Sequence, residues 1–352
     1  MEEAGVWSAQ DTTPSDIEAA LRDMLRVGQA EEAGYAPARV LNLVVVVDRD
    51  WRGEIYNRLD GVGRYHPSRT ILCAVEHGRS TIDAWVSMRT EGEPRPGELA
   101  LARERVVLDI GPAHLEHLDT IVDPLVVSDL ATLVWAPHGH ASAVDSLLRL
   151  AQVVLLDSVN EPDPAAAVAR AAELAGEAYV VDLAWLRSTP WRERVAATFD
   201  PPQWRPELGR IEGVRVRHHP ASATAGLLFC GWLVSRLGWK PGSLSPANGG
   251  LRGMARSRRT DVRLMLEPDE RQSVPGLAGI SVETASGMEI SLDRGRGGLV
   301  ARRRARDGSE SQWTVLGASR GEAGILGEGI RQALLRDPTY RPALDAVRTM
   351  LA

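Results

Sequence analysis

Lysine is nearly missing from this chain. Lys240 is the only one, so almost all of the 41 basic side chains are arginines. Codon bias is one reading of such a preference; the other is that arginine suits planar, bidentate contacts with acidic partners. Cysteine is equally scarce: Cys73 and Cys230 cannot build a disulfide framework or a four-cysteine zinc site. Apolar runs are short. The most apolar stretch, Gly226 to Val234, falls well below the ~20 residues needed to cross a bilayer. The acidic start, Met1-Glu2-Glu3, lacks the basic residues and apolar core of a signal peptide. A reducing cytoplasm is the expected compartment. There is no Walker A pattern, no Gly-x-Ser-x-Gly elbow and no His-Glu-x-x-His, which removes the commonest nucleotide, hydrolase and zinc-protease readings.

The chain has 352 residues, 44% apolar and 25% charged, in globular proportions and long enough for two domains. Its net charge of -6 argues against a chain-wide grip on nucleic acid. After an extended arm at Val6–Gln10, Ile17, Leu21, Met24 and Leu25 recur at helical spacing behind Thr13-Pro14. Val40 to Val47 is a β-branched run that fits a strand covered on both faces. A helix to Val62 and a strand from Ser68 to Val75 complete a right-handed parallel crossover. Ile82–Met88 and Leu101–Ile110 read as strands, His114–Val122 as a helix, Ala131–Ala136 and Val153–Asp157 as strands.

Glu161-Pro162-Asp163-Pro164 marks the expected boundary. Beyond it we expect a helix to Gly176, a strand Tyr179–Trp185, a helix Trp191–Phe199, and a strand Val214–His218 leading into a buried helix Ala221–Leu237. Pro241–Arg259 reads as a loop, Asp261–Leu316 as an antiparallel meander of period two, and the rest as two terminal helices. The expected fold class is α/β: an N-terminal Rossmann-like domain with a mixed sheet over 1–162, then an α+β domain over 163–352.

Candidate contacts fall in three segments. Arg64, His66 and Arg69 sit between a helix and a strand and suit an anion, or form a plain turn restrained by Pro67. Trp185, Trp191 and Arg192 combine the residue types that anchor interfaces, and equally suit a core tryptophan with an arginine packed over it. Arg302, Arg303 and Arg304, with Arg294, Arg296 and Arg306, form a basic hairpin. It reads as a charged edge, a protein contact or, lacking interleaved aromatics, a poor nucleic-acid groove. The glycine-rich run Asn248–Gly253 is a weak phosphate cradle. Asp48, Asp50, His138 and His140 follow strand ends, where α/β ligands gather. They leave open a rival reading, an enzyme with a degenerate Rossmann-like site acting on a sugar phosphate. No metal set has the required spacing, so no metal and no catalytic residue are assigned.

Several segments together resemble one family, the glucose-6-phosphate dehydrogenase assembly protein OpcA. They are Val6-Trp7-Ser8, Arg39 to Val44, Gly63 to Arg69, Asp123 to Leu130 with Val134-Trp135, and Asp182 to Trp185 with Trp191-Arg192. The arginine-rich composition is like the actinobacterial branch. The resemblance implies a non-catalytic partner that binds and activates glucose-6-phosphate dehydrogenase as a hetero-oligomer in the oxidative pentose phosphate pathway. No cofactor, nucleic acid or membrane is expected. The thioredoxin-linked regulation of cyanobacterial members is not carried over, because Cys73 and Cys230 are both expected to be buried.

Overall fold

The structure is a computed structural model that describes residues 5–31, 35–37, 39–63, 67–90, 100–247, 249–295, 297–316 and 321–352. The chain forms two compact units: Met1–Leu156 with Glu177–Val181 and Glu322–Leu335, and Asp157–Gly176 with Asp182–Gly321 and Arg336–Ala352. The helices are α1 (Pro14–Glu31), α2 (Arg52–Gly63), α3 (Leu118–Val122), α4 (Ala141–Leu147), α5 (Pro164–Glu177), α6 (Leu183–Arg187), α7 (Thr189–Phe199), α8 (Ala223–Leu237), α9 (Gly321–Leu335) and α10 (Tyr340–Leu351). Among the described residues no helix is long and apolar enough to cross a membrane.

The first sheet contains β1 (Val6–Ala9), β2 (Tyr35–Pro37), β3 (Leu41–Asp48), β4 (Ser68–Val75), β5 (Asp83–Thr90), β6 (Ala100–Ile110), β7 (Thr132–Trp135), β8 (Val153–Leu156) and β9 (Tyr179–Asp182). Their order is β1-β5-β6-β4-β3-β7-β8-β9, with β2 beside β6. β3 pairs in parallel with β4 and β7, and β4 with β6; β5 and β1 run antiparallel at the edge. This is the mixed, Rossmann-like sheet expected. β3 is buried from Leu41 to Val47 because helices cover both faces of such a sheet. The arm at Val6 is strand β1, with Trp7 opposite Val86.

The second sheet contains β10 (Ile211–His218), β11 (Lys240–Ala247), β12 (Gly250–Arg256), β13 (Asp261–Pro268), β14 (Leu277–Thr284), β15 (Glu289–Gly295), β16 (Gly298–Arg304) and β17 (Glu310–Leu316). The order is β11-β12-β13-β10-β14-β15-β16-β17, antiparallel except where β10 lies parallel to β13. Val216, Leu264, Ile280 and Leu292 line its buried face, which α8 covers. Helix α8 is apolar almost all round because α10 covers it as well. The helices meet at Gly231, where an added Cβ would lie 2.3 Å from the Ala343 carbonyl oxygen.

Four expectations need correcting. Pro241–Arg259 is mostly the hairpin β11–β12, not a loop. Its prolines sit in an edge strand, where a missing N–H interrupts no inner ladder. The weak phosphate cradle falls here too: Asn248 lies outside the described residues, and Gly250 faces the Leu266 carbonyl so closely that a Cβ would come within 2.0 Å. The strand begun at Tyr179 stops at Asp182, and Trp185 lies in α6. His114–Val122 divides into a 3-10 turn, Pro112–His117, and the short α3.

Candidate functional site

The register of β4 on β6 sets Arg69 opposite Glu104. Arg69 donates to that carboxylate from Nε at 2.8 Å and from Nη2 at 3.2 Å, and to the Leu125 carbonyl from Nη1 at 2.9 Å. Arg39 adds a second guanidinium, its Nε lying 2.6 Å from Glu104 Oε2. Burial alone would raise the Glu104 carboxyl, but Arg69 and Arg39 outweigh it and hold the group below its ordinary value. Next to this cluster, the buried Asn42 amide donates to the Val127 carbonyl at 2.9 Å, and its oxygen accepts from the Val127 amide at 2.9 Å. Residues from four distant segments therefore converge where β3 and β4 begin. Arg69 is committed to an internal carboxylate, so it is not a free anion ligand. Arg64 and His66 lie outside the described residues.

At the opposite end of β3, where β4 and β7 flank it, Asp48 meets the residues that follow β7. His140 Nε2 is 3.1 Å from Asp48 Oδ1, and the Trp51 and His138 rings lie 4.9 Å apart. The surrounding charges are paired: Arg49 and Arg79 with Glu76, Arg79 with Asp83, and Arg52 with Asp109 at 3.0 Å. Hydrogen bonds from Arg79 and then Arg49 hold Glu76 below its ordinary value. Asp50 is exposed. Of the four residues expected after strand ends, Asp48 and His140 meet, His138 lies beside them, and nothing joins Asp50 to the group among the described contacts. The dinucleotide glycines are absent there, and a carboxylate and a tryptophan occupy the turn. Among the described residues no His, Cys, Asp or Glu set suited to a metal occurs.

In the second unit, Asp182 ends β9 and caps α6. Its Oδ1 accepts from the Ala184 amide at 2.9 Å and the Ser158 amide at 3.2 Å, and its Oδ2 from the Tyr340 hydroxyl at 3.2 Å. Burial, then the nearby Asp157 carboxylate, push the acid up to about 6. The Trp185 indole donates to Asp337 at 2.8 Å. Arg192 lies 3.5 Å over the Trp185 ring and donates to the Trp185 carbonyl at 2.7 Å and to Thr189 Oγ1 at 3.0 Å. Burial lowers Arg192 to about 10. Trp185, Trp191 and Arg192 are all buried. Of the two sequence readings, interface anchors or core tryptophans with an arginine packed over them, this burial and stacking match the second.

The basic stretch is the edge pair β16–β17. Alternation splits it. Arg302 and Arg304 are exposed on the open face, bonded to Gln312 and Glu289. Arg303 points to the other face, with Trp204 at 4.3 Å and Trp313 at 5.7 Å from its guanidinium carbon. Arg294 donates to the Leu277 carbonyl at 3.0 Å, and Arg296 lies outside the described residues. Sequence reading overlooked Trp204. Only its place in the proline-rich turn Pro201–Pro206 hinted that it stands at a surface. Cys73 and Cys230 are buried, and burial pushes both thiols up to about 12, which makes them inert.

Residues 60–173 match the family model described as the glucose-6-phosphate dehydrogenase subunit N-terminal domain, and residues 178–344 match that subunit's C-terminal domain. An OxPP cycle protein OpcA from Synechococcus elongatus is 28% identical over 201 residues, 56% of this chain and 45% of that protein. Its counterpart from Synechocystis sp. is 26% identical over 191 residues, 53% of this chain and 40% of that protein. The aligned part thus spans under half the length of either relative. Among solved structures, an oxidoreductase YvaA from Bacillus subtilis superposes with a TM-score of 0.48 at 9% identity, covering 88% of this chain and 95% of that one. With both domains of one subunit matched in order along its length, the chain belongs to the OpcA family.

Proposed function

We propose that this protein binds a glucose-6-phosphate dehydrogenase and favours its assembled, active state, performing no bond chemistry itself. The match to both domain models of a glucose-6-phosphate dehydrogenase subunit carries this reading. OpcA is a non-catalytic assembly family, which agrees with the missing catalytic motifs. Activation requires that the chain contact the active state more strongly than the alternatives. The edge of the second sheet suits that contact. Arg302, Arg303 and Arg304 stand there with Trp204 and Trp313, and tryptophan and arginine are enriched among interface hot spots. Arg64 and His66 are further proposed contacts, while Arg69, Trp185, Trp191 and Arg192 act from beneath the surface. A cytoplasmic setting and membership of the actinobacterial branch, suggested by the arginine-for-lysine composition, complete the proposal.

The test mixes the purified chain with its cognate dehydrogenase. Co-sedimentation and a raised kcat/KM of the dehydrogenase are expected. The triple change Arg302→Ala, Arg303→Ala, Arg304→Ala should weaken the complex roughly tenfold or more. Unchanged sedimentation and unchanged kinetics with the native chain would refute the reading.

A further inference from the structure

The second unit carries an open cleft of about 290 Å³, formed by α7, the turn Arg205–Arg210, the end of α8 and the strands beneath. Val195, Phe199, Leu208, Ile211, Trp232 and Leu233 give it an apolar floor. Two arginines, Arg205 and Arg236, stand at its rim, against a single carboxylate, Asp200. Both arginines are exposed. Arg205 donates from Nε to the Asp200 backbone carbonyl at 2.7 Å and makes no ion pair among the described residues. Arg236 makes no ion pair among the described residues. A cation in the last turn of a helix is favoured by the helix dipole. That accounts for the charge of Arg236 and leaves the apolar opening beside it unexplained. The cleft also adjoins the stack described above, since Trp204, which carries Arg303, immediately precedes Arg205.

We infer that this cleft receives an acidic segment of a protein partner. One large apolar side chain of that segment enters the cleft, and its neighbouring carboxylates meet Arg205 and Arg236. Charge complementarity selects the occupant: cations over an apolar floor reject a basic segment and leave a neutral one without ionic partners. Size selects the anchor. The volume lies at the lower limit of small-molecule sites, ~300–1,000 Å³, so it admits a side chain more readily than a nucleotide cofactor. The inference rests on the reading that the protein works through a partner, with the dehydrogenase as that partner.

The experiment uses the full chain and the cognate dehydrogenase. A photo-crosslinking amino acid replaces Ala196, an exposed residue of the cleft wall. Crosslinks should map to one dehydrogenase segment that carries an aliphatic or aromatic residue flanked by acids. In parallel, the double change Arg205→Glu, Arg236→Glu should raise Kd roughly tenfold or more and remove much of the salt dependence of binding. Both side chains are exposed, so the melting temperature should fall only slightly, through loss of the helix-end cation and of the Arg205 hydrogen bond. Leu208→Glu is a second variant, expected to weaken binding to a similar degree. Native and double-variant chains of equal affinity would overturn the cleft and leave the partner reading intact, as would crosslinks confined to a segment without acids. Failure of the native chain to bind at all would remove both.

Discussion

Glu104 in the first unit and Asp182 in the second are both buried acids, and the protein treats them in opposite ways. Glu104 is gripped by Arg39 and Arg69 and stays ionised below its ordinary range. Asp182 has neutral donors, among them two backbone amides and the Tyr340 hydroxyl, and Asp157 nearby opposes its charge. Desolvation acts on both. The counter-ion decides the direction. Folding therefore responds to pH with opposite signs at the two places. Glu104 contributes stability above the ordinary carboxylate range and loses it as pH falls through its lowered value. Asp182 contributes at low pH and loses that contribution as pH rises toward 6.

The contrast is sharpest when the Glu104 charge is removed. Glu104→Gln keeps the side-chain shape and leaves two guanidiniums facing a neutral amide. We expect a loss of about 3–5 kcal/mol, read as a lowered denaturant midpoint in the first unit. An unchanged midpoint would mean that the arginines find water instead. Asp182→Asn should have the reverse character. Between pH 3.8 and about 6 the native chain should lose roughly 3 kcal/mol relative to the variant, because only the native carboxyl ionises in that window. Denaturation of both proteins across that range measures it, and parallel curves would break the comparison. The smallest effect belongs to Tyr340→Phe, which deletes one hydrogen bond to Asp182 at about 1 kcal/mol and moves the Asp182 transition to higher pH.

Parts of this molecule were legible from spacing alone. β3 announces itself because a strand covered on both faces needs no polar alternation. The alternation of Val262, Leu264 and Leu266 likewise fixes one covered face. Pairings across distance were not legible. Arg69 reads as a free cation until β4 is laid on β6 and Glu104, 35 positions away, comes alongside. Asp182 reads as part of a strand, although an aspartate before Leu183-Ala184-Trp185 is also a helix cap, and only the Ala184 amide decides between the two. The β11–β12 hairpin was hidden by proline and glycine, which mark turns in most contexts and are tolerated at a sheet edge. The site fared worse than the fold for the same reason. Trp185 and Arg192 have the composition of an interface, and burial assigns them to the interior.

The crossing of the chain between its two units has a consequence for biosynthesis. The first unit includes Glu322–Leu335, so in a growing polypeptide it is complete only after the strands of the second sheet have been made. Domains generally fold as units, the N-terminal one first, during translation. The two units are thus interleaved along the chain, and no single cut would separate them.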